Sequence, residues 1–221
     1  MPTLIRTEPE TRRRRDADAT RSSILDAAEA VFVKKGFAAT AMTEIADRAA
    51  VTKSLIHHHF GSKKALWQEV KRRRIGVLSQ IQRDVAAGGE PEAQLLAEAI
   101  RGYFRFLQAY PSFVRLSAWM NLEDPDLSVP SDSSLIDRTL EQIRAAQASG
   151  ELRDDVKPWN VFVALTSICM HWFLSRHAFD HDLHADPDPD VADEEYLSDL
   201  LKIFMDGVRA QGTRGAESRE V

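Results

Sequence analysis

The chain has 221 residues, 43% hydrophobic and 29% charged, which is the composition of an ordinary globular protein and not of a disordered or fibrous one. A single cysteine, Cys169, excludes a disulfide framework and suits a reducing compartment. The longest nearly apolar run, residues 161–174, is too short to span a bilayer, and no apolar stretch follows the N-terminal arginines as in a secretory signal. A cytoplasmic protein with no membrane partner is therefore expected.

The net charge of −5 hides a division. Residues 1–76 carry 16 Lys and Arg against 9 Asp and Glu, or +7, whereas residues 77–221 carry 13 against 25, or −12. A basic front on an acidic body suits a polyanion-binding module joined to a separate domain.

In chain order, residues 1–16 are polar, contain Arg12 to Arg15, and read as a disordered basic arm or a solubilising tail. A first helix is expected from about Thr20 to Lys35, with Ile24, Leu25, Ala28, Val31 and Phe32 as its apolar stripe and Gly36 at its end. A short second helix follows Thr40. A tight turn at Ala49-Ala50-Val51 leads to a short third helix capped by Thr52 and ended by Phe60-Gly61. Ser62 opens a long fourth helix to about Val85.

Five more helices complete the expectation. They start near Pro91, Pro111, Ser133, Pro158 and Asp193, and the acidic segment 180–193 is read as a loop. No strand-like alternation of any length appears. The fold class is all-α, an N-terminal three-helix helix-turn-helix domain over residues 17–66 joined to a larger helical ligand-binding and dimerisation domain over 67–211. Residues 212–221 read as a tail.

Two short helices joined by a tight turn behind a longer one make a helix-turn-helix, whose last helix can enter a major groove. Thr52, Lys53 and Ser54 stand at its leading end. A helix N-terminus also offers free N–H groups to phosphate.

Residues 21–66 resemble the N-terminal domain of the TetR family of transcriptional regulators. The matching positions include Ile24, Leu25, Ala27, Ala28, Phe32, Gly36, Thr40, Ile45, Ala46, Ala49, Val51, Thr52, Phe60, Ser62, Lys63 and Leu66. The resemblance implies a homodimer that reads near-palindromic double-stranded DNA and is released by a small-molecule effector; a repressor with an apolar or aromatic effector is expected. On this basis Thr40, Thr52, Lys53, Ser54, His57, His58 and Lys63 are expected to contact DNA. The sequence departs from the family at Ala50, where glycine is usual, at His57, where tyrosine is common, and at Lys64, where glutamate is usual.

The effector pocket is expected among Tyr103, Phe104, Leu107, Phe113, Leu116, Trp119, Met120, Phe162, Cys169, Trp172 and Phe173, although any one of them could simply be core. Arg105, Arg115, Asn121, His171 and Arg176 are candidates for orienting a ligand. The resemblance puts the dimer interface on the last two long helices, with Leu197, Leu200, Leu201, Phe204, Met205 and Val208 as candidates.

No cofactor is expected. His57, His58 and His59 point about 100° apart on a helix and share one ion poorly. His177, His181 and His184, near Asp180 and Asp182, have better spacing but run into the acidic loop. No phosphate loop, nucleophile elbow or HExxH motif is present, so the chain is not read as an enzyme.

Overall fold

The computed structural model describes residues 8–87, 92–123, 133–179 and 189–210. Its helices are α1 (Glu8–Lys35), α2 (Met42–Arg48), α3 (Lys53–Phe60), α4 (Lys63–Ala86), α5 (Glu92–Ala109), α6 (Pro111–Glu123), α7 (Ser133–Ala148), α8 (Pro158–Phe179) and α9 (Pro189–Val208). The chain is all-α, as expected. Among the described residues, no helix is long and apolar enough to cross a membrane.

The largest difference from expectation is at the start. Residues 8–16 continue α1 rather than forming a disordered arm. The sequence supplies a reason: Glu8 and Glu10 stand four residues ahead of Arg12 and Arg14, a spacing that supports a helix. Residues 1–7 and 212–221 lie outside the described residues.

The chain divides into two compact units, residues 1–74 with 115–130, and residues 75–114 with 131–221. The division therefore falls inside α4 rather than at residues 66 and 67, and most of α6 joins the N-terminal unit.

That N-terminal unit has its own core. Ile24, Ala28 and Phe32 of α1, Ile45 of α2, Ile56 and Phe60 of α3, and Leu66, Trp67 and Val70 of α4 are buried together. Phe32 meets Trp67 edge-on, with ring centroids 4.8 Å apart. Leu116 and Met120 of α6 are buried in the same cluster, and Trp119 lies against it. Three expected pocket residues thus serve the core of the N-terminal unit. At this point in α6 the apolar stripe faces α1 and α4, which sequence periodicity does not reveal.

Ion pairs fasten α1 to α4. Glu29 is buried and receives Arg73 at 2.6 Å and Arg74 at 2.7 Å, while Arg73 also reaches Asp26 at 2.7 Å. Arg21 and Arg72 both pair with Glu69.

The second unit buries one face each of α5, α7, α8 and α9 around Ile100, Phe104, Phe106, Leu107, Ile143, Leu165, Cys169 and Phe173. The α9 stripe completes this core: Leu197, Leu200, Leu201, Phe204 and Met205 are all buried within the protomer. Five of the six expected interface residues are therefore core residues, and the half-buried Val208 packs against the same core. A helix on a protein surface turns its strongest stripe toward its own domain first.

Candidate nucleic-acid interface

The helix-turn-helix is built by its turn. Ala50 donates to Asp47 O at 3.2 Å, and Val51 donates to Ala46 O at 3.0 Å. This pair of bonds closes α2 as a Schellman motif, which requires a left-handed residue where Ala50 stands. Ala50 has φ 52°, the one non-glycine residue with positive φ among the described residues. An L-residue here carries strain on the order of 1–2 kcal/mol that glycine would avoid.

Thr52 then starts α3. Its backbone is extended, at φ −80° and ψ 149°, and its hydroxyl accepts from Leu55 N at 3.2 Å. Ile56 and Phe60 anchor α3 inward, and Arg21 sits over the Phe60 ring at 5.0 Å. The outer face is left to Lys53, Ser54, His57 and His58, which are all exposed. At 100° per residue these four cover one continuous side of the helix. Five expected contacts, with Thr52, are thus brought to the leading end and outer face of α3.

Two others are not. Thr40 is 3% exposed and donates its hydroxyl to Gly36 O at 2.6 Å. Lys63 also has a different task. Its ammonium donates to the carbonyls of Phe37 at 2.7 Å, Ala38 at 3.3 Å and Thr40 at 2.9 Å, and lies 4.4 Å from the Phe37 ring centroid. An ammonium has three hydrogens, and all three are engaged.

The same α1–α2 turn is held from its other side. Glu123, the last residue of α6, accepts from Phe37 N at 2.7 Å and from Ala38 N at 3.2 Å. Trp119 Nε1 donates to Val33 O at 3.2 Å. A side chain at Gly36, which has φ 75°, would collide with the Glu123 carboxylate. One carboxylate therefore takes the turn's donors and one ammonium takes its acceptors. Sequence alone could not show this, because the residues lie 23 and more positions apart.

Arg48 at the end of α2 and Lys64 in the first turn of α4 are exposed cations flanking α3. The sequence reading left both out of the interface. Their only signal was charge type, which Lys63 shares.

In the second unit, Tyr103, Phe104, Leu107, Phe113, Cys169 and Phe173 fall in one core, with Phe162 and Trp172 against it. Phe104 meets Phe173 at 4.7 Å, and Trp172 stacks on Tyr196 at 4.0 Å. Buried Asp193 accepts from Trp172 Nε1 at 2.7 Å and Arg176 at 2.5 Å. Arg105 pairs with Glu194 at 3.3 Å, while Arg115, Asn121 and His171 are exposed. Burial pushes the Cys169 thiol up to about 12 and raises the Tyr103 hydroxyl. A thiol that stays protonated is a poor redox sensor.

Among the described residues, no group of three His, Cys, Asp or Glu side chains could hold a metal ion. His181, His184, Asp180, Asp182 and the His177 side chain lie outside the described residues.

The face of α8 turned from this core is unusual. Trp159, at 51% exposure, Val163, Ile168 and Leu174, at 46%, alternate there with Asn160, Ala164, Ser167, His171 and Ala178. No Asp, Glu, Lys or Arg interrupts them. On α9, Ile203 is 75% exposed and Val191 is also exposed.

Comparison with known proteins agrees with this geometry. A family model described as bacterial regulatory proteins of the tetR family matches residues 24–70, and a tetracyclin repressor-like C-terminal domain model matches residues 96–194. The transcriptional repressor NicS of Pseudomonas putida is 27% identical over 202 residues, covering 88% of this chain and 92% of that protein. The transcriptional activator FasR of Mycolicibacterium smegmatis is 36% identical over 91 residues, covering 41% of this chain and 42% of that protein. A solved structure, the transcriptional regulator SCO4942 of Streptomyces coelicolor, has a TM-score of 0.67 at 25% identity, covering 83% of this chain and 97% of that one.

Proposed function

This chain belongs to the tetR family of DNA-binding bacterial transcription regulators, and from that premise we propose that it is a homodimeric repressor released from a near-palindromic operator by a small apolar or aromatic effector. The observation that carries the reading is the outer face of α3. Lys53, Ser54, His57 and His58 stand exposed on a helix whose inner face is locked into a core. That is the form of a helix that reads a groove.

Dimerisation is supported by α8. A helix with one apolar face in its own core and a second, charge-free face outside needs another surface to cover it. A second copy supplies the same face, as two-fold symmetry requires. Trp159, Val163, Ile168 and Leu174 of α8, with Val191 and Ile203 of α9, replace the α9 stripe as the interface. Half-sites would then lie about 34–36 Å apart, or a multiple of that.

Arg48 and Lys64 contact phosphate in place of Lys63, one of the expected DNA contacts. The effector space lies among Tyr103, Phe104, Leu107, Phe113, Phe162, Cys169, Trp172 and Phe173, without Leu116, Trp119 and Met120. Effector and operator each weaken the other by the same factor, typically ~1–3 kcal/mol. Repression, rather than activation, is favoured because the repressor NicS matches along most of both chains, while the activator FasR matches over less than half of each.

The test is selection of bound fragments from random and genomic DNA at ~150 mM salt, where weak nonspecific phosphate binding has faded. Enrichment of a two-fold-symmetric site is expected, with lower reporter output from promoters that contain it. A folded chain that enriches no sequence would contradict the reading.

A further inference from the structure

We propose that His57 grips the operator backbone only as an imidazolium, so that each reading head takes up a proton as it binds DNA. The inference rests on the DNA-binding reading above and specifies the chemistry of one contact within it.

His57 Nδ1 lies 2.8 Å from the carbonyl oxygen of Gly61. A carbonyl oxygen only accepts, so Nδ1 carries the hydrogen. The neutral ring then has a bare lone pair on Nε2, on the exposed face of α3. A phosphate oxygen is an acceptor too, and two acceptors do not bond. A proton from solvent on Nε2 removes the conflict: Nδ1–H stays on Gly61 and Nε2–H donates to phosphate as a charge-assisted bond.

The partner is fixed by the fold. Gly61 N donates back to His57 O at 2.8 Å, so the two residues are bonded twice. Gly61 holds φ 76°, a backbone shape that few side chains tolerate. The ring's tautomer is thus set by the helix end and not by solvent.

The ionisable groups along α3 and on the elements beside it are Lys53, His58 and His59 on the helix itself, Asp47 and Arg48 at the end of α2, Lys63 and Lys64 at the start of α4, and Arg21 of α1, which lies over the Phe60 ring and pairs with Glu69 of α4. The ammonium of Lys63 is turned to the α1–α2 turn. The fixed charges here are cationic apart from Asp47 and the Glu69 that Arg21 pairs, and phosphate brings the anion that an imidazolium at His57 matches.

The experiment is titration of the full chain against its selected operator from pH 6 to pH 8.5 at constant ionic strength. Wild-type affinity should fall on the order of tenfold from pH 6 to pH 8, since imidazole changes charge across this range. His57→Gln should flatten the profile, His57→Arg should bind at pH 8 as the wild type does at pH 6, and His58→Gln should keep the wild-type slope. Thermal melts of the three variants confirm that each is folded. A pH-independent wild type, an unaltered slope in His57→Gln, or a slope lost in His58→Gln overturns the proposal. Failure of the wild type to bind any sequence at any pH is a separate result; it overturns the DNA-binding reading and this inference with it.

Discussion

Two helices of this protein, α3 and α8, each turn one face into a core and leave the other outside, and they differ in what the outer face holds. On α3 it is Lys53, Ser54, His57 and His58; on α8 it is Trp159, Val163, Ile168 and Leu174. The first suits a hydrated polyanion and the second another apolar surface. The frames behind them differ as well. The reading head is held by polar clamps: Glu29 to Arg73 and Arg74, and Lys63 and Glu123 on either side of one turn. The body is held by close-packed side chains such as Phe104, Leu165 and Phe204. Directional bonds fix the orientation of a small recognition unit, whereas apolar burial supplies bulk stability.

The comparison can be broken first in the body. Phe204→Ala should cost about 3–5 kcal/mol in chemical denaturation, because Phe204 is buried in the core. Its neighbour Ile203 is 75% exposed, and Ile203→Ala should cost the monomer less than about 0.5 kcal/mol. Equal losses at the two positions would mean that α9 is turned the other way.

In the reading head, Lys63→Ala and Glu123→Ala should each cost about 1–3 kcal/mol, since each strands buried or half-buried backbone groups of the same turn. Lys63→Ala should leave the salt slope of operator binding unchanged, while Lys64→Ala lowers it by about 1. A reversed pattern would return Lys63 to the phosphate.

Ala50→Gly should stabilise the chain by about 1 kcal/mol, because glycine accepts φ 52° without strain. A loss of stability would contradict the turn geometry.

An effect of similar size concerns Lys71, which is buried on α4 over the Trp67 ring. Desolvation, aided by Lys64, lowers its amine to about 8 from 10.5. The folded state then binds fewer protons than the unfolded chain between pH 8 and pH 10.5, so Lys71's contribution improves as pH rises through that window. Lys71→Met should raise the Tm by about 2–4 °C near pH 7, with the gain shrinking toward pH 10.

The order and type of the helices could be read from the sequence because glycine, proline and capping residues mark their ends and a 3.6-residue period marks their faces. The turn at Ala50 was legible through the family resemblance instead: glycine is usual there, and the departure raised a question about φ that the observed 52° answers. What periodicity could not give was the partner of each face. It showed that Leu201 and Phe204 form a stripe but not that the stripe joins a core shared with α5, α7 and α8. It assigned Trp119 and Met120 to an apolar helix without showing that α1 lies opposite. Lys63 and Lys64 look alike in sequence, and only the carbonyls of Phe37, Ala38 and Thr40 separate them.

The central claim is that the charge-free face of α8 joins two reading heads. The direct measurement is sedimentation velocity of the double variant Val163→Glu with Leu174→Glu beside the wild type, with helix content checked by circular dichroism. The account predicts a wild-type dimer and a variant that keeps its helices but sediments as a monomer and no longer protects a two-fold-symmetric site. A variant that remains a dimer with full operator protection would contradict it.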